Sequence, residues 1–208
     1  MILRYGPIAG IFLVCAVHAQ APADVYSRGG ANPAAVACAS CHGAQGEGME
    51  AGGFPRLAGL PADYIKKQLA DFASGARANP IMQPIASALT REEIDTLAAM
   101  LTAQAYPEVA PVGKGAEVQE LGETLALRGA WDRNIPECVA CHGPGGRGVG
   151  EVFPPLAGQP AQYLAAQLIA WQQGTRTNDP NDLMGHIGRS LTADEIEAVS
   201  KYFAGLKK

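Results

Sequence analysis

Cys38-Ala39-Ser40-Cys41-His42 and Cys138-Val139-Ala140-Cys141-His142 write one pattern, Cys-x-x-Cys-His, twice in the same chain, with 97 positions separating Cys41 from Cys138. Four of the 5 cysteines lie in these two stretches. The downstream segments repeat as well. FPRLAGLPADYIKKQLADFASGARANP starts at Phe54, and FPPLAGQPAQYLAAQLIAWQQGTRTNDP starts at Phe153. Phe54, Leu57, Gly59, Tyr64, Gln68, Leu69 and Arg77 recur in unbroken register as Phe153, Leu156, Gly158, Tyr163, Gln167, Leu168 and Arg176. Self-similarity at this spacing means a duplicated domain. The halves are expected at 20–107 and 117–208, joined by a linker at 108–116; in the surrounding stretch AYPEVAPVGKGA, residues 105–116, Pro107, Pro111, Gly113 and Gly115 interrupt helical patterning.

Within each half the apolar spacing is helical. Tyr64, Ile65, Leu69 and Phe72, and likewise Tyr163, Leu164, Leu168 and Trp171, recur at intervals of three and four and mark one helix face. Thr90 with Glu93, and Thr192 with Glu195, fit the capping box that opens a helix. A helix is also expected over 116–128, with a shorter counterpart at Asp24–Arg28 broken by Gly29, Gly30 and Pro33. The chain therefore reads as all-α.

The first residues read as an export signal. A single charge, Arg4, precedes an apolar run from Ile8 to Val17 and then Val17-His18-Ala19, which predicts a signal peptide at 1–19 cleaved after Ala19, with Ala21 as second choice. The run is too short for a bilayer span. Cys15, the fifth cysteine, would leave with the segment, and a lipoprotein reading is disfavoured by bulky Val14 in front of it. The formal charge is only −4 over 208 residues, and the halves are balanced: 6 basic and 8 acidic residues over 20–107, 9 and 11 over 114–208. This excludes the basic stripe of a nucleic-acid binder.

An exported chain with four cysteines admits disulfides, a zinc site, a thioredoxin-like redox pair or covalent haem. Two intervening residues suit redox or ligand chemistry better than a structural disulfide. The two pairs are too far apart for the usual four-cysteine zinc spacing, and no strand pattern supports a thioredoxin frame. Covalent haem remains: Cys38 and Cys41, and Cys138 and Cys141, add to the vinyl groups, while His42 and His142 reach the iron.

A second axial ligand is then needed for an electron carrier, and a soft thioether suits ferrous iron. Met82 and Met184 stand 8 residues before the capping threonines Thr90 and Thr192, in Asn-Pro-rich segments read as loops. Core filling is the commoner role of methionine, and Met49 and Met100 are read as packing residues. His186, two residues beyond Met184, is an alternative ligand, with a surface histidine as the plainer reading. Pro55 and Pro154 can offer carbonyls to orient the histidines. Arg77 and Arg176 suit haem propionates or a brace for the methionine segment, with a solvated loop arginine the simpler alternative.

CASCHGAQGEG, FPRLAG and the Met82 segment, repeated as CVACHGPGGRG, FPPLAG and the Met184 segment, resemble the dihaem class I cytochromes c of the cytochrome c(4)-like group, over nearly the whole mature chain. The resemblance implies two cytochrome c folds related by a pseudo-twofold, propionate edges approaching across the interface, and His/Met iron at both sites with Pro55 and Pro154 orienting the histidines. The second half departs in carrying PNDLM where the first has PIM. The expected function is periplasmic electron transfer between a donor dehydrogenase or quinol-oxidising complex and a terminal oxidase or reductase, with membrane association only through such partners. The alternatives are the electron-accepting subunit of a dehydrogenase oxidising thiosulfate, sulfite or an alcohol, and a dihaem peroxidase. No catalytic constellation stands out.

Overall fold

The computed structural model describes residues 21–105 and 120–206. The signal segment with its cleavage at Ala19, Cys15 and the linker 108–116 lie outside them. The first half contains α1 (Pro22–Arg28), α2 (Ala39–His42), α3 (Ala62–Ser74), α4 (Met82–Ala88) and α5 (Arg91–Thr102). The second contains α6 (Leu121–Arg128), α7 (Cys138–His142), α8 (Ala161–Gln172), α9 (Leu183–Ser190) and α10 (Ala193–Gly205). Among the described residues only isolated β-bridges form, and the protein is all-α as its periodicity implies.

The two halves are built to one plan. α5 packs on α1 and α3, and α3 on α4; in the second half α10 packs on α6 and α8, and α8 on α9. α3 buries Ile65, Gln68 and Phe72 and stops where Gly75 takes a left-handed turn (φ +81°). α5 and α10 both begin with a complete capping box: Thr90 and Thr192 accept from the backbone N–H of Glu93 and Glu195, whose carboxylates accept in return from the threonine N–H groups. Such a cap is worth about 1 kcal/mol. α6 lies against α10 because Gly122 has no side chain; a Cβ there would collide with the Ala198 carbonyl oxygen. The first core gathers Val25, Tyr26, Leu60, Ile65, Leu97 and Leu101, and the second Leu125, Ile135, Leu164, Ile196, Val199 and Phe203. Met100 packs against the first core as expected, whereas Met49 is 40% exposed and is not a packing residue.

The halves meet along α3 and α8 and the segments that follow them. Arg77 and Arg176 form an antiparallel bridge across the seam, and the Thr177 N–H donates to the Ala76 carbonyl at 3.3 Å. Among the described residues no helix is long and apolar enough to cross a membrane.

Candidate functional site

Each Cys-x-x-Cys-His pattern folds as one short helix, after which Gly43 (φ +83°) or Gly143 (φ +76°) turns the chain. The loop beyond curls back under the histidine. The Gly48 N–H donates to the His42 carbonyl at 2.8 Å and the Gly148 N–H to the His142 carbonyl at 2.7 Å. Gly48 and Gly148 have φ of +81° and +84°, and a Cβ would come within 2.6 Å of the Arg56 nitrogen in the first case and 2.8 Å of the Phe153 carbonyl oxygen in the second. Side chains there would push away the Phe-Pro segment that the histidine needs.

That segment sets the chemistry of the ring. His42 Nδ1 lies 2.9 Å from the Pro55 carbonyl oxygen, and His142 Nδ1 lies 2.7 Å from that of Pro154. A carbonyl only accepts, so Nδ1 carries the proton and Nε2 keeps its lone pair. Phe54 and Phe153 meet the rings edge-on at 6.4 and 6.3 Å. Both histidines are buried, and burial pushes their pKa values below the ordinary imidazole value, against which the proline carbonyls act. Each ring is thus a neutral, oriented nitrogen donor. Cys38 and Cys41 are not joined by a disulfide, nor are Cys138 and Cys141. Burial raises the Cys38 thiol and pushes that of Cys138 up to about 12. Among the described residues no three His, Cys, Asp or Glu side chains gather as a metal cluster, so the four-cysteine reading has no geometry.

Met82 and Met184 are half-buried, and both sit at helix starts and not in loops: Met82 opens α4, and Met184 is the second residue of α9. Asn79 Oδ1 accepts from the Ile81 and Met82 N–H groups at 3.0 and 2.8 Å, and Asp179 Oδ2 from the Gly185 N–H at 2.9 Å. An acceptor side chain shortly before each methionine therefore fixes where the helix begins. The extra residues of the second half place Asn181 and Asp182 in the left-handed region (φ +61° and +56°), and Asp182 pairs with Arg189. His186 is exposed, with Nε2 3.3 Å from the Asn134 carbonyl oxygen, which is the surface reading.

Arg77 and Arg176 are each only 6% exposed, so the solvated alternative is wrong. Arg77 donates to Gln68 Oε1 (2.9 Å), Gln167 Oε1 (2.5 Å) and the Tyr163 hydroxyl (3.0 Å). Arg176 donates to Gln167 Oε1 (2.9 Å), Gln68 Oε1 (3.1 Å) and Asn178 Oδ1 (2.9 Å). Their guanidinium carbons lie 4.5 Å over Phe72 and 3.9 Å over Trp171. Two buried cations bonded mainly to neutral groups form a positive centre on the seam; burial and the neighbouring Arg77 both push the pKa of Arg176 down.

Sequence reasoning missed a second contact across the seam. Arg56 and Gln159, each 3% exposed, interlock: the Arg56 N–H donates to Gln159 Oε1 at 2.9 Å and Gln159 Nε2 to the Arg56 carbonyl at 2.8 Å. The Arg56 guanidinium donates to the carbonyls of Ala157 and Ala58 at 2.8 and 2.9 Å. The signal lay in the divergence of the repeats, since the matching positions hold Pro155 and Leu60.

Two docked helical domains, each presenting a thiol pair and a carbonyl-tethered imidazole, with a half-buried thioether in the helix beyond, define a tandem c-type electron carrier. The chain belongs to the cytochrome c family, whose model matches it twice, over residues 28–104 and 120–207. It is 62% identical over 204 residues, 96% of this chain and 94% of the relative, to a thiosulfate dehydrogenase electron acceptor from Stutzerimonas stutzeri (strain A1501). It superposes with a TM-score of 0.79, at 44% identity, on the thiosulfate dehydrogenase (TsdBA) of Marichromatium purpuratum, covering 88% of this chain but 39% of that one. Reduced recombinant cytochrome c4 from Pseudomonas stutzeri matches with a TM-score of 0.69 at 34% identity, covering 81% of this chain and 93% of that one. The protein is a dihaem electron-transfer cytochrome of the cytochrome c4-like kind, carrying two covalently bound haem c groups. The residues present fit that cofactor: a cysteine pair without a disulfide and a neutral imidazole nitrogen in each half, buried cations, and the buried Trp171 Nε1, which has no hydrogen-bond partner among the described residues.

Proposed function

We propose that Cys38 and Cys41 hold one haem and Cys138 and Cys141 the other, that His42 with Met82 and His142 with Met184 are the axial ligands, and that Pro55 and Pro154 orient the histidines. The observation that carries this is the histidine geometry, the same in both halves: Nδ1–H committed to a proline carbonyl and Nε2 left as a donor. Arg77 and Arg176, buried cations bonded mainly to neutral groups, would bind the haem propionates. The bound iron supplies a reversible one-electron couple. The protein holds the imidazole in one tautomer, keeps each thioether at a capped helix start, and excludes water with the surrounding core, so little has to move when the charge changes. The signal segment 1–19 is removed after Ala19, and the domains at 20–107 and 117–208, joined by the linker 108–116, work in the periplasm.

The donor is a thiosulfate-oxidising dehydrogenase, and the acceptor a higher-potential oxidase or reductase reached by diffusion. The naming of the 62% identical relative supports this ahead of the general shuttle that the sequence put first. Oxidative coupling of two thiosulfate ions releases two electrons, which matches two one-electron centres. Oxidised protein mixed with thiosulfate and a catalytic amount of a thiosulfate dehydrogenase is expected to become reduced at both haems, in proportion to thiosulfate consumed. Reduction no faster than with thiosulfate alone would reject this donor.

A further inference from the structure

The Arg56–Gln159 interlock lies on the peptide group that orients His42. The Pro55 carbonyl and the Arg56 N–H belong to one amide. Its oxygen accepts from His42 Nδ1 at 2.9 Å, and its N–H donates to Gln159 Oε1 of the other half at 2.9 Å. Only one orientation of the Gln159 amide serves both the Arg56 N–H and the Arg56 carbonyl, 2.8 Å from Nε2, so the bond is directional. Hydrogen bonds in series through an amide polarise one another, more so where water is excluded, and Arg56 and Gln159 are each 3% exposed. The second half cannot repeat the arrangement. The peptide that orients His142 joins Pro154 to Pro155, and Pro155 has no N–H to donate. Leu60, at the position matching Gln159, has no amide to accept.

The geometry points to Gln159 as a positioning residue for the haem of the opposite half: through the Pro55–Arg56 amide it strengthens the His42 Nδ1–H bond and lowers the reduction potential of the first haem, in a linkage the second haem lacks. This rests on His42 being an axial ligand. An acceptor bonded to the amide N–H puts more negative charge on the Pro55 oxygen. The imidazole thereby becomes more electron-rich and favours ferric iron, the effect that outer partners of ligating histidines exert. Docking of the two domains is thus registered at one iron and not at the other.

Gln159→Leu installs the residue that the first half already uses at this position. The holoprotein variant is expected to show about a threefold shift of the first haem's reduction equilibrium toward ferrous, near 28 mV at 59 mV per tenfold for one electron, with the second haem unchanged. In the ferrous protein, proton NMR is expected to show the His42 Nδ1–H resonance moving upfield and that of His142 staying in place. Arg56→Met keeps the amide N–H while removing the guanidinium contacts to Ala157 and Ala58, and is expected to leave the His42 resonance unmoved. Gln159→Asn, too short to span both Arg56 backbone groups, is read identically should the leucine variant not fold. Equal shifts at both haems, no shift at either, or an Arg56→Met effect matching that of Gln159→Leu would each overturn the inference. Ring-current-shifted His42 protons in the unmodified ferrous protein report ligation separately: if they are missing, the site reading fails; if they are present and the variants are silent, this inference alone fails.

Discussion

Met82→Ala and Met184→Ala are each expected to abolish about half of the weak sulfur-to-ferric-iron absorption and to leave one reduced iron open to carbon monoxide. The physical reason is that the proposed axial thioether is the soft ligand that each variant removes. Met82 is fixed by Asn79, whose side-chain oxygen accepts from its N–H at 2.8 Å, and Met184 by Asp179, which holds the Gly185 N–H at 2.9 Å. Alanine preserves the backbone hydrogen bonds of these helix starts and removes the thioether arm. Loss of the thioether also lowers the potential of the altered haem, because sulfur favours ferrous iron. His186 supplies the internal control. It lies on the exposed side of α9, engaged with the Asn134 carbonyl, and His186→Ala is expected to change neither signal. Optical titration with carbon monoxide across the three variants checks the assignment. A silent Met184→Ala beside an active His186→Ala would move the second ligand to the histidine.

Arg77→Met is expected to cost about 2–4 kcal/mol of stability, read as a lower denaturation midpoint, and to lower both reduction potentials. The three hydrogen bonds that it removes, to Gln68, Gln167 and Tyr163, reach into both halves. Charge-assisted bonds of this kind contribute about 1.5–3 kcal/mol each, and the loss is offset in part because Arg176 no longer faces a buried like charge. Removing a cation from the seam favours ferric iron on either side. Arg77→Lys keeps the charge without the planar fork, so it should restore most of the potential and little of the stability. Denaturant unfolding and redox titration on the same samples separate the two effects, and a variant that keeps both wild-type values would place the arginine outside the haem environment.

The duplication, the helical class and the capping boxes were legible in the sequence because each is a local pattern: a repeated register, a 3.6-residue period, a threonine three residues before a glutamate. The histidine tether was legible for the same reason, since Pro55 and Pro154 follow their histidines at nearly constant spacing. What escaped was what only docking decides. Arg77 and Arg176 carry charges that ordinarily stay in water, and nothing local says that each will be covered by the opposite half. The Arg56–Gln159 contact joins residues 103 apart, and its trace in the sequence is a pair of positions where the repeats disagree. The Asn and Pro around the methionines read as loop residues. In fact helices start there, with Asn79 accepting a backbone hydrogen bond before Met82 and Asp179 accepting one beside Met184.

We propose that protein ligands close both irons, so that the molecule passes electrons without turning over a substrate of its own. Stopped-flow mixing of the fully reduced protein with hydrogen peroxide, and in parallel with a high-potential one-electron acceptor, tests it most directly. With both coordination positions filled, oxidation by the acceptor is expected to be fast and oxidation by peroxide slow. Sustained peroxide turnover at roughly 1 to 1,000 per second, the range of ordinary enzymes, would contradict the account and make at least one of Met82 and Met184 a displaceable ligand.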